Sequence, residues 1–296
     1  MLFTVVIPVF NSSGYIANTL KSVEKASKSL NYEIILVDDC SKDIDQLKRV
    51  LQDFDKARLI EKDKKTNAAN SRNIGILKSK GSYVFLLDSD DHFVSNSIVR
   101  RICLHEENKA GIIFGNFVTK RGNNQRRSIL PNYHVEDMRD YILIKKGDFR
   151  SSVISINKKY YKNTLFDDAS QKHQDWIFAF RCWDNKEIIK FDKQSSTIIN
   201  VDRTTRMSSS SNIKASKYLC ENYLDNREHI NGFSDNHWNS MICDRDRNAC
   251  HFFTKIYKPQ NPKEYFKLAF YKLMSNGTVL PLSSAGISFL RAVKNK

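Results

Sequence analysis

The chain has 296 residues, 41% of them hydrophobic and 27% charged, so it can bury a large core and is not a disordered polymer. No apolar run approaches the roughly 18 residues a membrane-spanning helix needs. The net charge of +15 suits acidic partners, whether nucleotide phosphates, anionic lipid headgroups or nucleic acid, and its sign alone does not choose among them. The opening M-L-F-T-V-V-I-P has no basic leader and no small-residue cleavage site, and it reads as a core strand. Six cysteines (Cys40, Cys103, Cys182, Cys220, Cys243 and Cys250) are scattered without a C-x-x-C pair, which points to a reduced, cytoplasmic setting.

Residues 3–9 predict a strand that must end at Pro8, which has no backbone donor. A loop at 10–13 then leads into a helix capped by Asn11 or Ser12, with Tyr15, Ile16, Leu20 and Val23 at helical spacing. Residues 33–37 (E-I-I-L-V) predict a second buried strand, ending in Asp38-Asp39. A helix near 43–54, a short strand at 58–61 and a helix at 67–79 follow. The stretch G-S-Y-V-F-L-L-D-S-D-D (81–91) is the most informative. A buried strand, Tyr83 to Leu87, runs directly into Asp88, Asp90 and Asp91 with only Ser89 between them. Two aspartates one residue apart on extended backbone face the same way. That suits a hard cation such as Mg²⁺ or Mn²⁺ with phosphate oxygens, whereas the plainer reading is an acidic turn capping the next helix. Strands alternating with helices, with acids at the strand ends, predict a parallel-rich α/β sheet forming a nucleotide-binding half. G-x-G-x-x-G and P-loop signatures are absent. Beyond Asp91 the pattern predicts a helix at 95–108, a strand at 111–120, a helix at 135–145 and a strand at 151–156. A helix starting at His173 and strands near 187–201 come next, then about three helices from 212 to 274.

Taken together, several motifs in order resemble the inverting glycosyltransferases of family 2, with the GT-A fold. These are T-V-V-I-P-V-F-N (4–11), V-D-D-C-S-K-D (37–43, with Cys40 where glycine is common), N-A-A-N-S-R-N-I-G (67–75), L-L-D-S-D-D (86–91), F-D (166–167) with Q-D-W (174–176), and V-D-R-T-T-R-M-S (201–208). The resemblance implies that Pro8 and Phe10 frame a nucleotide base and ribose and that Asp39 accepts the uracil N–H. It places Asn67, Arg72, Asp88 and Ser89 around the nucleotide-sugar. Asp90 would bind Mn²⁺ or Mg²⁺, and Asp175 would act as the catalytic base on the acceptor hydroxyl. Arg203 or Arg206 would neutralise the departing diphosphate. Asp38 reads as a cap and Asp91 as a turn residue. Asp175 is also the kind of acid a helix dipole favours in a first turn. Gln174 stands where glutamate is usual, which leaves His173 and Gln174 as candidates for sugar or acceptor contact.

The implied organisation is a GT-A catalytic domain over 1–210, with a nucleotide-binding half (1–91) and an acceptor half (92–210), followed by a helical basic region at 211–296. From Lys255 onward eight Lys or Arg meet one acid, Glu264, and aromatics interleave with lysines at 263–274. That pattern suits an anionic membrane surface, so a peripheral place on the inner face of the cell membrane is the expectation. The implied partners are a UDP-sugar donor and a glycan or lipid-linked oligosaccharide acceptor, with no nucleic acid. Cys243, Cys250, His251 and His237 match no zinc spacing. Two other functions compete. A sugar nucleotidylyltransferase would need a G-x-G-T-R-L loop where V-F-N-S-S-G stands. A non-catalytic basic membrane- or nucleic-acid-binding protein would leave the strand-end acids without a purpose.

Overall fold

The computed structural model describes residues 2–27, 30–202, 212–243 and 245–276. Arg203 and Arg206 lie outside the described residues. The chain divides into two compact units, residues 1–138 with 148–203, and residues 139–147 with 204–296.

The first unit carries β1 (Leu2–Val9), α1 (Ile16–Ser27), β2 (Asn31–Asp38), α2 (Ile44–Leu51), β3 (Ala57–Glu61), α3 (Ala68–Lys78), β4 (Tyr83–Leu86), β5 (His92–Phe93), α4 (Ser97–Asn108), β6 (Ile112–Gly115), β7 (Val118–Arg121), β8 (Asn124–Arg127), β9 (Ser155–Asn157), α5 (Gln174–Asp184), β10 (Ile189–Asp192) and β11 (Thr197–Asn200). Seven strands form one sheet in the order β10-β6-β9-β4-β1-β2-β3, parallel except where β9 runs antiparallel between β6 and β4. This is the mixed, mainly parallel sheet with flanking helices that the alternation of elements predicts.

Residues 3–7 of β1 and all of β4 are buried, as expected of strands covered on both faces. Each such Val, Ile, Leu or Phe contributes about 1.5–3 kcal/mol by leaving water. α1 lays Ile16, Leu20 and Val23 on this core at one-face spacing. α3 lies so close to β1 that a Cβ at Gly75 would come within 2.2 Å of Val6 Cγ1.

A second sheet runs β5-β11-β7-β8. Here the single strand expected over 111–120 breaks in two. Asn116 donates its N–H to Asp192 O and accepts from Ser196 N, and the chain passes there from the first sheet to the second. The strand expected at 151–156 is a 3₁₀ turn, Ser151–Val153, followed by the short β9.

The second unit joins the segment Arg139–Gly147 to α6 (Ile213–Tyr223), α7 (Arg227–Cys243), α8 (Arg247–Ile256) and α9 (Pro262–Met274). The helix expected over 135–145 is only a π-helical turn, Asp140–Ile144. Tyr141, Ile142 and Leu143 are all fully buried within it. It packs on α7, where a Cβ at Gly232 would meet Leu143 O at 2.6 Å, and His229 Nε2 lies 2.8 Å from Asp140 Oδ1. α9 starts at an Asn261 cap with Pro262 in its first turn. It docks through Tyr271, which stacks on Trp238 at 3.8 Å and donates its hydroxyl proton to Asp235. Tyr265, Phe266, Phe270 and Leu273 stand exposed on the same helix.

Candidate active site

The carboxyl ends of β1, β2 and β4 lie side by side, and β1 is where the strand order reverses direction, the usual place for a ligand in an open α/β sheet. The loops after β1 and β2 are tied together. Asn11 N donates to Ser41 Oγ at 2.9 Å, and Lys42 N donates to Asn11 Oδ1 at 2.8 Å. Pro8 is the penultimate residue of β1, half-buried opposite Val37. Phe10 is 40% exposed beyond the strand end, with Lys65 Nζ 3.6 Å from its ring centroid.

Asp38 and Asp39 have different surroundings. Asp38 Oδ2 accepts from Ser41 N at 2.9 Å, and its Oδ1 accepts from the Ser41 hydroxyl, so Asp38 shapes the turn after β2. Cys40 in that turn has φ +61°, a left-handed conformation that favours glycine. Asp39 is buried, and its Oδ1 takes both Thr66 N and Lys62 Nζ at 2.7 Å. Lys62 also donates to Thr66, Asn70 and Ser71 hydroxyl or amide oxygens. The attraction between this ammonium and carboxylate, with the further hydrogen bonds to both, offsets part of the cost of taking them out of water.

Asn67 caps α3 by accepting from Asn70 N, and its amide protons go to Asp168 O at 2.7 Å and Ser170 O at 3.3 Å. Its side chain therefore anchors the 166–170 loop to the helix. One turn on, Arg72 is buried. It donates to Asp88 Oδ1 at 2.7 Å and Gln174 Oε1 at 3.2 Å, while its Nε–H is buried without an acceptor among the described residues. Burial works against the guanidinium charge, but Asp88 and Asp175 more than compensate and hold it firmly protonated.

After β4, Asp88, Ser89 and Asp90 are half-buried and Asp91 is buried. Ser89 O accepts from Thr19 Oγ1 at 2.9 Å. Asp91 accepts from Ser152 Oγ at 2.6 Å and Asn200 N at 2.9 Å, which locks it into the scaffold. Burial, with Asp88 and Asp90 beside it, pushes the Asp91 carboxyl up. Asp175 sits in the first turn of α5 and takes a hydrogen bond from the Ser151 hydroxyl. Burial raises its pKa, the Asp88 charge adds to the rise, and Arg72 and Ser151 oppose it. Gln174 accepts from Arg72 and donates to Ser170 O at 2.9 Å. The His173 ring stacks on Trp176.

Thus Arg72, Asp88 and Gln174 meet in one hydrogen-bonded group, and Asp175 lies within its electrostatic reach. Asp39 belongs to a separate cluster with Lys62, while Asn67 serves the scaffold. Lys62, Thr66, Ser151, Ser152 and Asn200 escaped the sequence reading. Ser151-Ser152 is a polar pair at the start of an apolar run, and that is the only signal it gave. Ser152 Oγ also accepts from Asp88 N at 3.0 Å, so two adjacent serines support carboxylates from both β4 and α5.

The glycosyl transferase family 2 pattern matches residues 4–174. Among similar proteins, the amylovoran biosynthesis glycosyltransferase AmsB of Erwinia amylovora is 27% identical over 227 residues, 73% of this chain and 74% of that one. The poly(ribitol-phosphate) beta-N-acetylglucosaminyltransferase TarP of Staphylococcus aureus (strain N315) is 29% identical over 224 residues, 68% of this chain and 67% of that one. Among solved structures, S. aureus TarS 1-349 in complex with UDP-GlcNAc superposes with a TM-score of 0.64 at 15% identity, covering 96% of this chain and 91% of that one, which establishes a shared fold. Because that family pattern spans residues 4–174, more than half of the sequence, the chain belongs to glycosyl transferase family 2.

Proposed function

We propose that the chain is an inverting transferase that moves a hexose or N-acetylhexosamine from a UDP-sugar to a hydroxyl of a lipid-linked glycan, in the assembly of a surface polysaccharide such as capsule, O-antigen or lipooligosaccharide. The observation that carries this reading is the Asp175 carboxylate at the start of α5, steadied by Ser151 and facing the Arg72–Asp88 pair. In the proposed reaction Asp175 takes the proton of the acceptor hydroxyl. The acceptor oxygen attacks the anomeric carbon as the bond from that carbon to the diphosphate breaks, so inversion needs one base and no covalent intermediate. A raised pKa brings a carboxylate base nearer to working pH. The free edge of Asp39 would receive the uracil N–H, with Lys62 holding its other oxygen, and Pro8 and Phe10 would flank the base. Arg72, Asn67, Asp88 and Ser89 would line the path to ribose and phosphate, and Arg203 or Arg206 would meet the leaving diphosphate. Support for the donor comes from the TarS neighbours, solved with UDP-GlcNAc and with UDP. Support for the pathway comes from the names of AmsB and TarP.

The donor set at the end of β4 fits a hard divalent cation. It offers carboxylate oxygens, and their negative charges add to the burial that pushes Asp91 up. No group of three or more His, Cys, Asp or Glu side chains among the described residues is gathered to enclose an ion. Asp90 would therefore hold Mn²⁺ or Mg²⁺ from one side, leaving the rest of its shell to phosphate oxygens and water. Such an ion, when bound, neutralises the charge that develops on the leaving UDP.

Among the described residues no helix is long and apolar enough to cross a membrane. The exposed aromatic face of α9 beside Lys263 and Lys272 supports a peripheral place on an anionic membrane surface, at the cytoplasmic face.

The test is UDP or GDP release from a panel of UDP- and GDP-sugars, with Mn²⁺ and with EDTA. Metal-dependent UDP release from one UDP-sugar is expected, lost in Asp90→Asn with the fold intact. Full turnover by that variant would remove Asp90 from the metal role. Absence of both release and UDP binding would overturn the transferase reading.

A further inference from the structure

β7 and β8 form a hairpin at the edge of the second sheet, and its residues 119–127 read T-K-R-G-N-N-Q-R-R. Lys120, Arg121, Arg126 and Arg127 make no ion pair among the described residues, and from Arg121 to Arg127 every residue is exposed. The carboxylate that reaches the hairpin, Asp202, accepts the Gly122 N–H with both oxygens, at 2.9 and 2.8 Å. Pairing places Thr119 opposite Arg126 and Lys120 opposite Gln125. Arg121 and Arg126 therefore stand on one face of the hairpin, and Lys120 and Arg127 on the other. Edge strands are often charged simply to prevent sheet-to-sheet association, but that purpose is served by either sign. Four unpaired cations of one sign are a stronger statement.

The hairpin is also placed beside the chemistry. β5 begins at His92, immediately after Asp91. β11 pairs with β5 and with β7, setting Asn200 opposite Lys120, and Asn200 N donates to Asp91. Two strand spacings, ~10 Å, separate β8 from β11.

We propose that this hairpin grips an anionic glycan acceptor, a chain of phosphate-bearing sugar or polyol units, and feeds its hydroxyls toward the site at the end of β4. The assignment rests on the transferase reading and names its acceptor class. The hairpin has no aromatic side chain on which a base could stack, and from 119 to 127 no large apolar side chain to enter a bilayer, which disfavours nucleic acid and membrane. Arg forks match phosphate oxygens, and several such contacts make binding steeply salt-dependent.

The experiment compares the wild type with the triple variant Arg121→Gln, Arg126→Gln, Arg127→Gln, which keeps the edge polar. The probes are fluorescent ribitol-phosphate oligomers, neutral dextran oligomers, a single-stranded DNA oligonucleotide and phosphatidylglycerol vesicles, each at low and at physiological ionic strength. UDP release without acceptor is measured on the same samples. The expected result is at least about tenfold weaker ribitol-phosphate binding and a flatter salt dependence in the variant, with UDP release unchanged. Equal binding by the two proteins, or wild-type preference for dextran, DNA or vesicles over ribitol phosphate, would overturn the acceptor assignment. Absence of both UDP release and UDP binding in the wild type, with every donor, would instead overturn the transferase reading on which it rests.

Discussion

At the scale of single residues, the behaviour of Asp175 is set by opposing neighbours. Burial and Asp88 favour its protonated form, while Arg72 and the Ser151 hydroxyl favour the carboxylate. A base must be ionised to act, so activity should fall as pH drops through its raised pKa. The acid limb of the rate profile is then expected above the ordinary carboxylate range. Ser151→Ala removes a hydrogen bond to the ionised form and should move that limb further up, a shift that pH–rate measurements would read and a purely structural serine would not produce. Asp175→Asn should cut transfer by about 10²–10⁴-fold while leaving UDP affinity in place. Weakened UDP binding with full turnover would count against the base. Acids at the ends of apolar strands are conspicuous in a sequence, because nothing in a core strand calls for them. Ser151, Ser152 and Lys62 are not conspicuous. Their importance comes from partners distant in the chain, Asp175, Asp91 and Asp39, and one polar residue beside an apolar run carries no mark of such a partner.

At the scale of elements, the alternation of strands and helices through Asp91 was legible because each buried strand is a short apolar run and each helix keeps a periodic face. Legibility failed where the outcome depends on partners distant in the chain. The 135–145 stretch carried a helical pattern but no mark that it would narrow to a π-helical turn, and the run through Asn116 gave no sign that the chain changes sheets there. The contact of α3 with β1 is the tightest consequence of the pattern. Gly75→Ala would drive a methyl group into Val6 and is expected to destabilise the fold by about 1–3 kcal/mol, read as a lower urea midpoint. Gly14→Ala meets nothing within 4 Å and should leave the midpoint nearly unchanged, so equal effects at the two sites would refute the close-packing account.

At the scale of the whole molecule, the +15 charge was visible in composition, but what it serves depends on where the cations are displayed. On α9, Phe266 is 77% and Phe270 46% exposed, close to Lys263 and Lys272. Phe266→Ser with Phe270→Ser should lower co-sedimentation with phosphatidylglycerol vesicles by at least about tenfold, since each ring adds apolar area to the bilayer contact. Unchanged sedimentation would remove α9 from any membrane role.

The second unit also has a hereditary consequence. Its interior includes Tyr141, Ile142 and Leu143, which are encoded upstream of β9 and away from the helices they pack with. The terminal third is thus not a cassette that recombination can exchange between relatives by a single crossover. A swap made after residue 203 would pair new helices with the old filler, and it would fold well only if the two had stayed compatible. Diversification of this region should therefore proceed by coupled substitution in two separated stretches of the gene.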